Sequence, residues 1–464
     1  MKNKTIFLDG ENLSIQNVID ISENNYQVDF SKMVREKISE GRKLLEKQIN
    51  EHPEIPIYGT NRLHGDLKDK DISLDLIKEY QKKYIKVHNC GTGKALDIKV
   101  SRAIMVIRLN SFAKCLSGIK LDTCELMLNM LNRGVTPLIL EEGSVGASGD
   151  LIPLAMIGAV LIALPEAEAY FEGRLLPAKT ALNNANLKEI ELGAKEAMAL
   201  TNGSNFISAL SIFAIKDTEN LIKTASVSAA LSLEAIRGEK KAFCKLINDN
   251  SRKHKGQTEI AKQIRFLIDG SERMTKKAQE IKLKNQSEST VGERVQDRYS
   301  FRAVPQVHGV VVEALDKLKE TLEIEINSAT DNPLFDFNKK DKNTGGIYFA
   351  SGANFHGQAL ATVIDYLKIA ITSIALMSDK RSFSMLDRNL SYGLPADLAK
   401  NTDKADGGLM ITQYSGASRA AECRILSTPS SVMSISTSAN QEDFVSMGSI
   451  GVLHLKKIIY NTEN

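Results

Sequence analysis

Apolar residues return every three to four positions along most of this chain, the spacing of helices that bury one face. Ser101–Leu116 sets Ala103, Ile104, Ile107 and Phe112 at that spacing. Asn205–Ile236 is a longer run rich in alanine, leucine and serine, with Phe206, Leu210, Phe213 and Leu221 along one side. It contains no proline, and Gly238 follows as a stop. Val307–Ile326 and Gln358–Met377 are two more long segments with apolar stripes. Small residues in the second (Ala359, Ala361, Ala370, Ala375) permit close helix packing. Strand-like patterns are few and short: Thr5–Leu8, Ala169–Phe171, Arg174–Leu176 and Ile347–Ala350. Val135–Leu140 is a further short strand candidate, and a glycine-rich stretch follows it. The pattern predicts a mainly α protein, a bundle of long helices with a smaller mixed N-terminal part.

No linker stands out. Arg252–Glu293 is polar, and Ser287–Glu293 reads as a loop. The expectation is two interlocked parts, 1–199 and 200–464, the first carrying the glycine-rich stretch. The apolar faces of such long helices exceed what one chain covers, which implies an oligomer.

Composition narrows the class. The 464 residues suffice for a large core. The 42% hydrophobic and 25% charged residues are those of an ordinary globular protein. A net charge of +3 gives no reason to expect nucleic acid or an anionic membrane as partner. Lysines in Lys253–Lys262 and Lys276–Lys284 sit among acidic and polar neighbours, as on solvated helix faces. Cys90, Cys115, Cys124, Cys244 and Cys423 show no CxxC and no metal spacing, which reads as reduced thiols of a cytoplasmic protein. The first residues lack the apolar stretch of a signal peptide. Apolar runs such as Leu154–Leu164 are too short to span a bilayer and read as core helix.

The candidate chemistry begins at Gly143-Ser144-Val145-Gly146-Ala147-Ser148-Gly149-Asp150. Gly149 has no Cβ, so its nitrogen can approach the carbonyl carbon of Ala147. Attack there closes a five-membered ring. Loss of two waters, one taking the Ser148 hydroxyl, leaves a 4-methylidene-imidazol-5-one (MIO), an electrophile no ordinary side chain provides. Gly143 and Gly146 let the loop bend. A glycine-rich loop after a strand also suits phosphate. No Gly-Lys-Ser/Thr follows, however, and no strand–helix alternation surrounds it.

The run Gly143–Leu154 closely resembles the signature of the aromatic amino acid ammonia-lyases, and within them the histidine-specific branch. Other segments carry the same resemblance. Tyr58-Gly59-Thr60-Asn61 is similar to the family's Tyr-Gly-x-Asn/Thr motif, which implies that Tyr58 is the base. A phenol has a pKa near 10, so that role needs nearby positive potential. Val87-His88-Asn89-Cys90-Gly91-Thr92-Gly93 resembles the segment whose histidine reads the substrate ring, which implies that role for His88. Leu200-Thr201-Asn202-Gly203 places Asn202 at the family's asparagine near the electrophile, ahead of a helix whose N–H groups could stabilise negative charge. Gln296-Asp297-Arg298-Tyr299-Ser300-Phe301-Arg302 resembles Gln-Asp-x-Tyr-Ser-x-Arg. That implies Gln296 and Tyr299 beside the electrophile and Arg302 as a bidentate clamp on the substrate carboxylate. Ser351–Gly357 implies Phe355 over the electrophile, with His356 structural. Asn440-Gln441-Glu442-Asp443 matches the histidine-specific form of its motif and implies that Glu442 accepts a hydrogen bond from a substrate imidazole.

Taken together, the resemblance implies the helical fold shared with the fumarase–aspartase group and a homotetramer with sites built from several subunits. It implies elimination of ammonia from L-histidine to trans-urocanate, with a self-made MIO from Ala147, Ser148 and Gly149 and no metal or diffusible cofactor. Three departures stand out. Arg62-Leu63-His64 replaces Thr-Gly-Phe, and Arg298 replaces a proline. The chain ends at Asn464, where family members continue with further helices. The first two leave open a lyase or 2,3-aminomutase for another amino acid, or an inactive homologue; the third implies a bare surface or altered assembly.

Overall fold

The structure is a computed structural model and describes residues 4–400 and 405–464. The chain divides into two compact units. One comprises residues 4–213, 320–362 and 429–453, the other 214–319, 363–400, 405–428 and 454–464. The helices Asn205–Ile236, Val304–Glu325, Gln358–Leu386 and Gly448–Glu463 each span one of the five points where the chain passes from one unit to the other.

The first unit is mainly helical. Ser14 and Asn17 form a capping box that starts the helix Ile15–Ser22. Ile98–Ala113 is buried on nearly every side, so it shows little amphipathic stripe. Its polar side chains serve main-chain acceptors instead. Arg102 donates to the carbonyls of Ile21, Ser22 and Leu131 at 2.9–3.2 Å. Arg108 donates to Ala199 and Thr330 carbonyls and to Asn205. Leu151–Leu161 is likewise buried through most of its length. Among the described residues, four small sheets trim these helices. Thr5–Leu8 pairs in parallel with Gln27–Phe30, and Thr92–Ala95 pairs antiparallel with Leu140–Glu142. Thr136–Pro137, Glu168–Phe171 and Arg174–Pro177 form a three-stranded sheet, and Leu334–Lys340 pairs with Ile347–Ala350. The candidate strand Val135–Leu140 is therefore two short strands in different sheets. Lys195 and Asp331 form a fully buried ion pair at 2.8 Å, just before the Asn332-Pro333 turn.

In the second unit, Lys255–Leu267 and Met410–Leu426 join the remaining lengths of the long helices. Arg265 binds Asp249 through both guanidinium ends at 3.0 and 3.1 Å, and Lys368 pairs with buried Asp365 at 2.7 Å. Large apolar side chains remain exposed on the helices, among them Leu231, Phe266, Ile369, Phe383, Ile411 and Ile425. Gln358–Leu386 is longer than its apolar stripe first indicates. Among the described residues it is the one helix long and apolar enough, by length and composition, to cross a membrane. In its most apolar window 61% is buried in protein, as in a core helix. The expectation that apolar runs fall short of a bilayer thus holds for Leu151–Leu161 but not for this helix.

Candidate active site

The loop 143–150 is held in an unusual backbone path. Gly143, Gly146 and Gly149 have φ of +126°, +77° and +84°, and Ser148 lies at +53°. A non-glycine residue there carries about 1–3 kcal/mol of strain, which the surroundings must impose. They do so at several points. Gly149 pairs with Gly203, and the Asp150 N–H donates to the Gly203 carbonyl at 2.7 Å. A Cβ on Gly149 would lie 2.3 Å from that carbonyl oxygen. Ala147 packs on Val445 and Met447, whose N–H donates to the Val145 carbonyl.

Asp150 anchors the loop from beneath. Its Oδ2 accepts from the Phe206 and Ile207 N–H groups at 3.0 and 3.1 Å, the first turn of Asn205–Ile236. Its Oδ1 accepts from Ser449 at 2.9 Å and from Ser144 at 3.4 Å. The helix N-terminal amides proposed for the electrophile are therefore engaged by a carboxylate. Complete burial pushes the Asp150 acid up to about 7, against these hydrogen bonds. The folded state thus favours the neutral acid. The associated stability is present below the ordinary carboxylate range and is lost as pH rises through 7. Asp150→Asn keeps acceptor and donor without the charge. Its unfolding temperature is expected to match wild type at pH 5 and to equal or exceed it at pH 8. Asp150→Ala leaves the amides unpaired and is expected to cost about 3 kcal/mol. Thermal unfolding at both pH values checks this.

A cavity of about 390 Å³ opens beside the loop, lined by Tyr58, Arg62, Ser148, Asn332, Phe355 and Glu442 among others. The Ser148 hydroxyl donates to Glu442 Oε1 at 3.1 Å, and Thr437 donates to Oε2 at 2.7 Å. Tyr58 Oη accepts from the Gly65 N–H at 2.9 Å. Burial pushes the Tyr58 phenol above its ordinary value; the Gly65 hydrogen bond opposes this and the Glu442 charge adds to it. His88 ends the helix Ile77–His88 and is stacked on Tyr84 at 4.0 Å. Its Nδ1–H donates to the Tyr84 carbonyl at 2.8 Å, which leaves Nε2 as the free acceptor. Burial lowers its pKa, so the ring is neutral at pH 7. Asn202 is buried behind the loop, and its Nδ2 has no partner.

The structure thus brings Tyr58, Ser148, Phe355 and Glu442 to one cavity. Asn202 sits one residue from Gly149's partner, and His88 belongs to a ring cluster beside these groups rather than to the cavity wall. Gln296, Tyr299 and Arg302 lie in the other unit. There Tyr299 is 74% exposed, and Arg302 lies 4.7 Å over its ring with Nε unpartnered. Arg298, in place of proline, holds its segment by donating to the Leu390 carbonyl at 2.6 Å. His356 stacks on Phe444 and contacts its carbonyl at 3.3 Å.

Two contributions were not visible in the motifs. One is Asp150 as an anchor, whose partners are distant in sequence. The other is a ring cluster of His64, Tyr80, Tyr84 and His88. The four-residue spacing of Tyr80, Tyr84 and His88 is a signal for it, since it sets three rings on one helix face. Among the described residues no group of three or more His, Cys, Asp or Glu is placed to hold a metal ion.

The group implied by the loop is consistent with these residues. Gly149 sits where a Cβ cannot, two consecutive residues take left-handed φ, and the buried Asn202 amide waits for an acceptor.

Comparison with known proteins fixes the context. The family described as aromatic amino acid lyase matches residues 13–464. The chain is 40% identical over 461 residues to histidine ammonia-lyase 2 of Fusobacterium nucleatum, covering 99% of this chain and 85% of that one. Its fold matches the crystal structure of tyrosine aminomutase from Streptomyces globisporus with a TM-score of 0.87 and 30% identity, over 99% of this chain and 85% of the other. It matches that of histidine ammonia-lyase from Trypanosoma cruzi with a TM-score of 0.81 and 30% identity, over 99% and 82%. Fold and relatives define a mainly helical carbon–nitrogen lyase. The chain belongs to the aromatic amino acid lyase family.

Proposed function

We propose that the protein eliminates ammonia from L-histidine to give trans-urocanate, with an MIO formed from Ala147, Ser148 and Gly149. The observation that carries this reading is Glu442 hydrogen-bonded to Ser148 in the cavity that also holds Tyr58 and Phe355. A carboxylate at that place suits the N–H of a substrate imidazole and leaves an apolar ring with an unpaired charge. His88, which the same resemblance assigns to the substrate ring, is neutral and lies in the ring cluster beside this cavity rather than on its wall, so Glu442 carries the choice of ring.

When formed, the MIO supplies the electrophile that makes the amino group a competent leaving group. The chain's own side chains do the rest. Tyr58 removes the β-proton and Phe355 limits the pocket over the loop. Asn202 donates to the electrophile's oxygen. Arg302 clamps the carboxylate, with Gln296 and Tyr299 organising the electrophile. We infer that these last three come from a second copy within a homotetramer, a cytoplasmic enzyme in this reading. Exposure of Tyr299 and of Val295, at 74% and 99%, favours such a contact.

The test is turnover of histidine, followed by the ultraviolet absorbance of urocanate. Glu442→Gln keeps the size and removes the charge. It is expected to lower kcat/KM for histidine about 10- to 100-fold, the worth of one charged hydrogen bond. A second reading, a lyase or 2,3-aminomutase for another amino acid, is favoured by Arg62 in the cavity wall and by the aminomutase neighbour. A panel of amino acids assayed for both unsaturated acid and β-amino acid separates the two.

A further inference from the structure

We propose that His64 is a positioning residue for Tyr58: its bond to Tyr80 latches the loop so that the Gly65 N–H stays on the Tyr58 oxygen. The inference rests on Tyr58 being the base of the reaction proposed above.

His64 is half-buried among aromatic rings, so its polar atoms need an account. Its Nδ1 lies 2.8 Å from the Tyr80 hydroxyl. Its ring meets Tyr84 edge-on at 4.5 Å and lies 5.4 Å from His88. All three partners belong to the helix Ile77–His88, a rigid support. The next residue, Gly65, donates its N–H to Tyr58 Oη at 2.9 Å.

Gly65 is fixed from its other side as well. Its φ is +59°, and a Cβ would lie 2.5 Å from Ser438 Oγ. The Asp66 N–H donates to that same oxygen at 3.1 Å. Ser438 lies on the turn between Thr437 and Glu442, whose backbones pair. The Gly65 amide is thus gripped between the helix on one side and the Glu442 segment on the other. A one-residue linkage joins the His64–Tyr80 bond to the atom that must lose a proton.

That amide matters because a donor to a phenol oxygen favours the phenolate. The other charged and titratable groups around Tyr58 are Glu442 from the 437–442 turn, Tyr80, Tyr84 and His88 from the helix, and Arg62, Lys68 and Asp69 from the loop. Arg62 is bound to Asp71 at 2.6 Å and Lys68 to Asp69 at 3.6 Å, so both cations are shared with carboxylates. His64 itself is pushed down to about 4 by burial first and His88 second, so it works as a neutral hydrogen-bonding ring. Phenylalanine fills the same space and offers Tyr80 nothing.

The test is a phenolate titration of the full-length protein by ultraviolet difference absorbance, with the transition absent from Tyr58→Phe assigned to Tyr58. His64→Phe and Tyr80→Phe, the latter removing one hydroxyl only, are each expected to raise the Tyr58 midpoint by about one pH unit. Each lowers kcat about tenfold at neutral pH, recovering toward alkaline pH, with KM little changed. His64→Asn, which restores a polar atom near the Nδ1 place, is expected to return the midpoint most of the way. The double variant His64→Phe/Tyr80→Phe moves it no further than either single one, as for two ends of one bond. An unmoved Tyr58 midpoint in the folded Tyr80→Phe protein, or additive shifts, overturns the latch. A moved midpoint with unchanged histidine turnover upholds the latch and overturns Tyr58 as the base, so the two failures are told apart.

Discussion

Ser148→Ala is expected to abolish histidine turnover while leaving the fold intact. Alanine supplies no hydroxyl to eliminate, so no exocyclic methylene is made. The reaction then loses its electrophile and must expel ammonia unaided. A fall in kcat of at least about a thousandfold corresponds to only ~4 kcal/mol of lost transition-state stabilisation. The cost to folding is far smaller. Ser148 is partly exposed, and its hydroxyl makes one hydrogen bond to Glu442, which keeps its bond from Thr437. Such a change is expected to cost about 1 kcal/mol or less. Intact mass gives an independent readout. The mature wild type should weigh two waters, about 36 Da, less than its encoded sequence, and the variant should lack the water that carries the serine oxygen. Equal turnover by the two proteins, or a wild-type mass with no deficit, removes the proposed catalyst.

The helices were more legible than the site. Asn205–Ile236 reads correctly end to end because nothing along it breaks the pattern before Arg237, whose φ is +56°. Ile98–Ala113 is harder. Arg102, Arg108 and Asn110 are buried among its apolar residues, and only the distant carbonyls they serve explain them. Val135–Leu140 looks like one strand by composition, yet its two ends pair with different partners. Pro137, which has no N–H, is the last residue of the first of the two strands. In the site, the residue types were readable from motifs, but the way they are held was not. Ser148 and Glu442 are 294 residues apart, and the bond between them exists only in the fold. Asp150 stands within the most readable stretch of the chain, yet its acceptors' partners are amides at 206 and 207. His64 was visible as a departure. Its use became visible only with Tyr80 set beside it.

Tyr58→Phe is expected to lower kcat by about a hundred- to ten-thousandfold, the usual worth of a positioned general base. KM should change little, since the ring remains and only its oxygen is lost. The pH dependence carries the distinctive sign. Burial first, and the Glu442 charge with it, hold the wild-type phenol protonated beyond its ordinary value, while the Gly65 N–H works in the opposite direction. In wild type, kcat/KM should therefore climb as pH rises toward the Tyr58 ionisation, because the base is the deprotonated form. Tyr58→Phe loses that climb. Glu442→Gln removes one cause of the upward shift and is expected to move the climb to lower pH, even as it weakens binding of histidine. Stability must follow the same linkage. The folded protein favours the neutral phenol, so this group's contribution is present below its unfolded value and is lost as pH rises through the folded one. Above about pH 10 the wild type should accordingly lose stability relative to Tyr58→Phe. Steady-state rates from pH 6 to 10, with thermal unfolding at the alkaline end, test both signs. A Tyr58→Phe enzyme with wild-type kcat and an unchanged alkaline profile would mean that another group takes the β-proton.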